Sequence, residues 1–418
     1  MSLLLNSKIG FFLAIRQIWR SSLWTTGLII FIMTLTFLNL VVVTGILVGL
    51  IQGSVDAERT QYTSDILISA LDNKDYIERS SNIVALLKSL PQVVTVSPRY
   101  LSGGTLEANY QSRTKETDKQ NTAVAQIEGI DPTAENKLTN LSKYMISGQY
   151  LAPGDYDQVL LGSLLVKNYS AVENPGFTTL ENVVPGSKIR ITVNGVTREV
   201  TVKGILKSKV NEIGQRAYLV DTQLRNMLGR DDYNVGEIAV ALKPGTNPVV
   251  IRDLLNRSGA GAYAKVRTYV DAQPKFLQDI KNTFALLGNM FSSVGLLVAS
   301  ITIFIVIFIN ALTRRKFIGI LKGIGISGQA ITISYVLQSF FYALCGSLIG
   351  IAIVYGFLQP TIAAHPIDFP FSDGILVATL NDTLLRAALL MVAAIIAGFI
   401  PARMIVRRNT LDSILGRK

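Results

Sequence analysis

The residues best suited to a specific interaction lie between Arg314 and Lys322, where cations flank large apolar side chains. The cations are Arg314, Arg315, Lys316 and Lys322, and the apolar side chains are Phe317, Ile318, Ile320 and Leu321. An apolar anchor with a cationic rim suits a protein groove that has acidic edges. The alternative is a short basic loop resting on anionic lipid headgroups. The segment therefore predicts binding chemistry.

Sequence patterns for catalysis, cofactor binding and metal binding are missing. There is no G-x-x-x-x-G-K-[ST] loop to hold ATP phosphates, no G-x-S-x-G turn and no H-E-x-x-H helix. One histidine, His365, and one cysteine, Cys345, are too few for a usual transition-metal site. No pair of carboxylates stands out as an acid and a base. We therefore expect no catalytic, cofactor-binding or metal-binding residues, and a separate subunit for any ATP hydrolysis.

Long stretches of the chain carry no charge. Asp, Glu, Lys and Arg are absent from 21–55, 282–313 and 323–367, and from a shorter window at 387–402. About 20 such residues are enough for a helix to cross the hydrocarbon core of a bilayer. The windows also lack the mid-membrane ionisable groups that ion-coupled transporters use. Four transmembrane helices are predicted, and secondary transport is disfavoured.

Cations are concentrated beside these windows. The segments 1–20, 314–322 and 403–418 together hold 12 basic residues against one acid, Asp412, whereas residues 53–280 hold 26 basic and 25 acidic residues. By the positive-inside rule, both termini and the middle loop are cytoplasmic. The formal net charge of +11 is therefore explained by anionic membrane lipids, and no nucleic-acid partner is expected.

The windows and charges divide the chain into nine consecutive parts. They are a cytoplasmic amphipathic elbow (1–20), transmembrane helix 1 with a stalk (21–55), an extracytoplasmic α+β domain (56–280), transmembrane helix 2 with a stalk (281–313), a cytoplasmic coupling loop (314–327), transmembrane helix 3 (328–358), an outer loop (359–382), transmembrane helix 4 (383–406) and a cytoplasmic tail (407–418). The predicted fold class is an α-helical membrane protein with four transmembrane helices and a large α+β extracytoplasmic domain between helices 1 and 2. Asp382 is expected to cap helix 4, and Arg386 to reach the headgroups.

The α+β domain shows strand and helix signals in alternation. Strands are predicted at 65–69, 93–96, 123–130, 190–193, 196–205 and 237–242, and helices at 81–90 and 247–256. The pair Asn194-Gly195 predicts the turn of a hairpin. The polar stretch Gly103–Asn121 is predicted to be a mobile loop.

This order of one span, a large outer domain and three more spans resembles the MacB/FtsX-like permeases of ABC transporters, which include lipoprotein-releasing permeases. Five stretches carry the resemblance: 127–135 (IEGIDPTAE), 146–162 (ISGQYLAPGDYDQVLLG), 185–208 (PGSKIRITVNGVTREVTVKGILKS), 314–327 (RRKFIGILKGIGIS) and 398–411 (GFIPARMIVRRNTL). They are similar to the family's G-I-D-P, G-x-x-L-x-x-G-D, G-x-x-I-x-I, R-x-x-E-I-G-I-L-K-A-I-G-x-S and P-A-x-x-A-x-R-x-x-P/T-L segments, in the same order. Phe317 stands where the family usually has Glu, which leaves the loop wholly basic.

The resemblance implies a permease subunit without its own ATPase. It implies that 314–322 docks on a cytoplasmic ABC ATPase as a coupling helix. It also implies a second permease copy or paralogue, an extracytoplasmic adaptor and membrane lipids as partners, in a bacterial plasma (inner) membrane. Substrates would be amphiphilic and handled outside the membrane surface, by efflux or by lipoprotein release.

Two other classes remain open from the sequence. An FtsX-like signalling protein that regulates a cell-wall hydrolase has the same order of spans, although that branch usually has a smaller outer domain. An adhesion or scaffold protein without an ATPase would leave the basic loop unexplained. A neighbouring gene for a P-loop ATPase would separate the permease from the scaffold.

Overall fold

The computed structural model describes residues 3–111, 120–170, 178–369 and 372–407. The chain forms two compact units. A helical unit contains Met1–Ile51, Asp279–Asp368 and Asp373–Lys418, and an α+β unit contains Gln52–Gln278 and Phe369–Ser372. Most of the predicted tail (408–418) and the part of the predicted loop at 112–119 lie outside the described residues.

The helices follow the apolar windows and extend beyond them. The α-helices are α1 (Leu3–Trp19), α2 (Leu23–Glu58), α3 (Ser80–Ser89), α4 (Pro132–Thr139), α5 (Asn211–Gly214), α6 (Asp221–Met227), α7 (Pro248–Arg257), α8 (Lys275–Thr313), α9 (Arg315–Gly323), α10 (Gly328–Ile353), α11 (Gln359–Ala364) and α12 (Leu380–Val406). Short π-helical segments, Arg59–Thr63 and Val354–Leu358, continue α2 and α10. Four of these helical runs, at α2, α8, α10 and α12, are long and apolar enough to cross a membrane.

Small residues let the long helices approach closely. A Cβ atom added to Gly346 of α10 would lie 2.5 Å from Cβ of Met33 in α2, and Gly350 faces the ring of Phe37 one turn further on. Such contacts replace the hydrophobic driving force that is missing between helices in lipid. The Gly346–Gly350 spacing therefore has an intrachain role, in joining α2 to α10.

Two predictions about helix ends were wrong. The fourth long helix begins at Leu380, and Thr379 caps it by accepting a hydrogen bond from the backbone N–H of Asp382. Asp382 thus lies in the first turn, where its negative charge faces the helix N-terminus favourably. The third helical run continues beyond residue 358 as α11, so the outer loop is shorter than predicted.

The strands of the α+β unit form one pairing network. They are β1 (Ile66–Ser69), β2 (Val93–Glu107), β3 (Thr122–Ile130), β4 (Met145–Gly148), β5 (Gln158–Gly162), β6 (Lys188–Val193), β7 (Val196–Leu206), β8 (Arg216–Val220), β9 (Glu237–Leu242) and β10 (Lys265–Thr268), with β11 (Ile367–Phe369) and β12 (Ser372–Gly374) as a separate pair. The order β10-β1-β9-β2 is antiparallel. The strands β2, β3, β8, β5, β7 and β6 pair in a closed ring.

The long strand β2 belongs to both parts of this network. Its first half pairs with β9, and its second half pairs with β3 and β6. The predicted loop from Gly103 is therefore wrong as far as Glu107, because these residues are strand. Gly104 is suited to this position, since a Cβ atom there would lie 2.6 Å from Cγ1 of Ile127, and glycine in a strand often marks such a close approach.

Other local predictions agree with the structure. Asn194 and Gly195 adopt positive φ values of 50° and 77° between β6 and β7, as a two-residue hairpin turn requires. Asn247 caps α7 by accepting from the N–H of Val249, with Pro248 in the first turn. Apolar side chains from the sheet, α3 and α7 form the main core of the unit.

Candidate functional site

The predicted coupling segment is a helix in the structure. α9 covers Arg315–Gly323, and Arg314 alone separates it from the end of α8 at Thr313. Arg314 has φ −97° and ψ 15°, which ends the hydrogen-bonding pattern of α8 and starts that of α9. The two helices are therefore joined directly, with one residue between them.

One face of α9 packs on the helical unit. Ile318 is 3% exposed and lies in the same apolar cluster as residues of the long helices, and Leu321 packs against this cluster. Lys322 Nζ donates to the backbone oxygen of Val406 at 3.1 Å, at the last residue of α12. A lysine there satisfies a terminal carbonyl of the helix and interacts favourably with its dipole. Ile318, Leu321 and Lys322 therefore hold α9 in place and are not its free surface.

A second face of α9, beside the packed one, is apolar and exposed. Phe317 is 68% exposed, Ile320 51% and Ile324, just past the helix, 71%. The spacing of three and four residues places the three side chains on one side of the helix. Lys316 is exposed beside them. We call Phe317, Ile320 and Ile324 the docking face. The sequence analysis missed Ile324, although its spacing from Phe317 and Ile320 is a signal of this face.

The end of α9 is fixed by a glycine turn. Gly325 has φ +94°, a value that glycine adopts without strain. Its N–H donates to the carbonyl of Lys322, and the N–H of Ile326 donates to the carbonyl of Leu321, both at 3.0 Å. These bonds satisfy the last carbonyls of the helix. The N–H of Ile324, the residue that ends the helix, still donates to the carbonyl of Ile320 at 3.0 Å, so Ile324 has a defined position.

The N-terminal helix α1 packs against the start of α10. Ser327 caps α10 by accepting from the N–H of Ala330, and its hydroxyl donates to Asn6 Oδ1 at 2.8 Å. Asn6 Nδ2 in turn donates to Gln329 Oε1 at 3.1 Å. A Cβ atom at Gly10 would lie 2.7 Å from Ile333, so α1 and α10 are in close contact. The predicted elbow therefore packs beside the start of α10 and supports the loop that follows α9.

A cluster of buried polar side chains lies in the α+β unit, just beyond the C-terminal end of α2. Tyr62, in the π-helical segment after α2, is buried. Its backbone oxygen accepts from Arg99 Nη2, and its hydroxyl accepts from Arg216 Nη2 and donates to Glu237 Oε1, each at 2.8 Å. The guanidinium carbons of Arg99 and Arg216 lie 5.2 and 4.7 Å from the centroid of its ring. Both arginines therefore hold the same tyrosine.

Three buried glutamates balance these arginines. Arg99 Nε and Nη2 donate to the two oxygens of Glu135 at 2.9 and 2.7 Å. Arg216 Nη1 donates to Glu128 at 2.8 Å, and Glu128 also lies 3.3 Å from Arg99 Nε. Glu237 lies 3.7 Å from Arg99 Nη1 and 3.6 Å from Arg216 Nη1. We call Tyr62, Arg99, Glu128, Glu135, Arg216 and Glu237 the clamp cluster.

The two most buried carboxylates of the clamp cluster, Glu135 and Glu128, have pKa values shifted in opposite directions. For Glu135, burial acts to raise the pKa, but Arg99 and hydrogen bonds from Ser97 and Thr139 outweigh it and lower the pKa below its ordinary value. For Glu128, burial prevails over the attraction of Arg216 and Arg99 and raises the pKa. The chemistry of the cluster is thus charge pairing that fixes Tyr62.

Sequence reasoning missed the clamp cluster. Arg99, Glu128 and Glu237 lie within strands, and a charge inside a strand is a weak signal of such a site. The sequence does not reveal which charges pair, since the partners come from β2, β3, β8, β9 and α4. Among the described residues, no group of three His, Cys, Asp or Glu side chains is arranged to hold a metal ion.

These features define a class before any relative is considered: a membrane protein with four long apolar helices and a large α+β unit. Residues 289–410 match the family model described as the FtsX-like permease C-terminal region, so this part of the chain is similar to FtsX-like permeases. The predicted resemblance to the MacB/FtsX-like permease family is thereby confirmed, and it supports a permease of the ABC-transporter type.

One solved structure similar to the chain is the periplasmic region of MacB from Actinobacillus actinomycetemcomitans. The two are 17% identical, and the match covers 54% of this chain and 96% of that chain, with a TM-score of 0.36. A TM-score of this size does not establish a shared fold. No curated protein matches the chain.

Proposed function

We propose that this protein is the permease subunit of an ABC transporter, coupled through α9 to a separate ATPase, and that it handles amphiphilic substrates outside the membrane. The observation that carries the proposal is the docking face, in which three large apolar side chains at and near the end of α9 are exposed while its neighbouring face is packed. An aromatic anchor of this kind gains most of its binding energy when a partner removes it from water.

The charge distribution supports a cytoplasmic position for α9. The basic segments at 1–20, 314–322 and 403–418 would lie on the cytoplasmic side of a bacterial plasma membrane, and the α+β unit outside it. The docking face would then meet a cytoplasmic ATPase. Lys316, exposed at its edge, would face acidic groups of that partner, which speeds association more than it strengthens binding.

The connection from α9 to the α+β unit supports energy coupling. α8 is a continuous helix of 39 residues, about 58 Å long, and it begins in the α+β unit. Only 17% of its most apolar window is buried within the chain, against 50% for the run that contains α2. Because α8 runs without a break from α9 to the α+β unit, it would carry a displacement of α9 along its length. A second permease copy or paralogue would cover part of it.

The substrate step takes one of two forms, efflux of amphiphilic compounds or release of lipoproteins. An extracytoplasmic adaptor encoded beside the chain would favour efflux, and lipoprotein-sorting factors would favour release. An ATPase encoded there is the first partner to test.

The test is co-purification of that ATPase with variants of the full-length chain. Phe317→Ala should remove most of the ATPase, because the loss of a desolvated aromatic anchor costs roughly 2 kcal/mol or more, about thirtyfold in affinity. Lys316→Ala should cost less and mainly change the salt dependence. The measurement is the ATPase recovered per permease at matched expression and salt.

Phe357→Ala is the matched control. Phe357 is 64% exposed, close to the 68% of Phe317, and the substitution removes the same phenyl ring. It should leave ATPase recovery unchanged. Equal recovery from wild type and Phe317→Ala would contradict the proposal. If the helix only rests on lipid, the ranking reverses, because each charge removed would weaken membrane attraction by about 1 kcal/mol.

A further inference from the structure

A cation joins three of the long helices. Arg386 lies in the second turn of α12, where its guanidinium is half-buried. Its Nη1 donates to the backbone oxygen of Leu40 in α2 at 3.0 Å and to Ser292 Oγ in α8 at 3.2 Å. Ionisable residues within membrane-spanning helices are costly and usually functional. The sequence predicts that Arg386 reaches the lipid headgroups, and the structure adds these contacts to α2 and α8.

Hydroxyl groups fix one side of this guanidinium. Ser292 Oγ lies 3.3 Å from Thr44 Oγ1, and Thr44 Oγ1 donates to the same Leu40 oxygen at 2.7 Å. The Leu40 oxygen thus accepts from both Thr44 and Arg386. These bonds use one of the three guanidinium nitrogens and hold the planar group in a set orientation.

The other side of the guanidinium is open. Within the described residues, Nε and Nη2 of Arg386 donate to no protein group, and neither nitrogen is fully buried. Asp382, one turn earlier, accepts from the Thr379 hydroxyl at 2.7 Å and makes no ion pair with Arg386 in this part of the chain. The cation therefore presents two donor nitrogens without a counter-ion from these residues.

Residue counts along α12 and along α2 place the Arg386 guanidinium at the same depth in the bilayer. Arg386 precedes Arg403 by seventeen residues, and Leu40 follows the first residue of α2, Leu23, by seventeen residues. Each interval is about 26 Å of helix, against a hydrocarbon core of about 30 Å. Arg386 would thus lie near one hydrocarbon boundary, at the end of α2 from which the chain continues into the α+β unit. Lipid headgroups begin there.

We propose that Arg386 binds the anionic headgroup of an amphiphile at this boundary. A phosphodiester or carboxylate group accepts from the guanidinium fork in two parallel hydrogen bonds, which would satisfy Nε and Nη2 and neutralise the charge. The inference rests on the proposed function, and it specifies that the amphiphilic substrates are anionic. The group recognised is the same in a bilayer lipid and in a free phosphate.

The test measures local lipid preference in the full chain, reconstituted without any ATPase. A single cysteine replaces Leu389, which is exposed three residues after Arg386 on α12, in a Cys345→Ala background. It is labelled with bimane, and quenching is followed as brominated phosphatidylglycerol or brominated phosphatidylcholine replaces the unbrominated lipid. We expect phosphatidylglycerol to bind about tenfold more tightly than phosphatidylcholine beside the label.

Variants then test whether Arg386 causes the preference for phosphatidylglycerol. Arg386→Gln should abolish it, and Arg386→Lys should retain part of it, because the charge stays and the fork is lost. Arg403→Gln, at the other end of the same helix, should leave it unchanged. Equal binding of both lipids by the wild type, or an unchanged preference in Arg386→Gln, would overturn the proposal. Arg386→Lys also keeps the test valid if the glutamine variant does not fold.

Inorganic phosphate separates the two sources of the anion. Reduced quenching by brominated phosphatidylglycerol when phosphate is added would show a site open to soluble anions, and unchanged quenching would assign it to lipid-like ligands. Both results retain the anion site. Because no ATPase is present, the outcome is independent of whether Phe317 binds one, so failure of this proposal and failure of the proposed function can be told apart.

Discussion

Removing Arg99 should destabilise the α+β unit more than any surface substitution. In Arg99→Met the side chain keeps most of its length, but the guanidinium disappears from between Glu135, Glu128 and Glu237. The carbonyl of Tyr62 loses its donor as well. Three carboxylates would then remain buried with one arginine, Arg216, to balance them.

The magnitude follows from the cost of an uncompensated buried charge. Breaking a buried ion pair by removing one partner costs about 3–5 kcal/mol, and a lost hydrogen bond to a buried carbonyl adds about 1 kcal/mol or more. For a unit of this size, each kcal/mol lowers the unfolding temperature by about 2–4 °C. The two costs together are about 4–6 kcal/mol, so we expect the unfolding temperature to fall by about 8–24 °C.

The assay is calorimetric unfolding of the full-length protein in detergent, with a double-mutant cycle. Arg99→Met combined with Glu135→Leu should recover part of the loss, since apolar residues of similar size often replace a buried pair at little cost. Lys74→Met is the control, because Lys74 pairs with Glu78 at an exposed site, where such pairs contribute little. A single variant within 1 kcal/mol of the wild type, or fully additive losses in the double variant, would refute the reasoning.

Two further predictions concern helix packing and topology. Gly346→Ala should lower the free energy of unfolding of the helical unit by about 1–3 kcal/mol, because the added Cβ would lie 2.5 Å from a side-chain atom of α2. Gly27→Ala is the control and should not lower it, since no atom lies within 4 Å of the added Cβ. Equal losses in both variants would contradict this packing. In a Cys345→Ala background, an impermeant thiol reagent applied to intact cells should label Ser112→Cys and spare Ser413→Cys if the charge distribution sets the topology. Labelling of Ser413→Cys would reverse the orientation.

The sequence predicts elements well where local chemistry decides them. Asn194-Gly195 specifies a turn whose positive φ values few other pairs tolerate, and Asn247 with Pro248 specifies the start of a helix. The charge-free windows predict the long helices for the same reason, since a helix satisfies all its backbone hydrogen bonds within one segment in lipid. At these positions the physical requirement lies within a few neighbouring residues.

Predictions fail where distant residues decide the structure. Gly103–Glu107 has a loop-like composition, but β3 and β6 pair with it on both sides and make it a strand, as tertiary context often overrides propensity. The coupling segment shows both kinds of information. Its helix and its apolar residues are visible in the sequence, whereas the division into a packed face with Ile318 and an exposed face with Phe317 depends on where the other helices lie.

The end of α2 and the start of α8 are stabilised by different kinds of contact. α2 ends in the clamp cluster, where Tyr62 is held by charge-assisted bonds in a buried site. α8 begins after a turn in which Asp271 accepts from Thr268 Oγ1 at 2.8 Å and from Arg252 Nη1 at 2.9 Å, and Arg252 and Asp271 are partly exposed. Exposed pairs contribute little and are screened by salt. The exposed pair at the start of α8 should therefore stabilise that end less than the clamp cluster stabilises the end of α2.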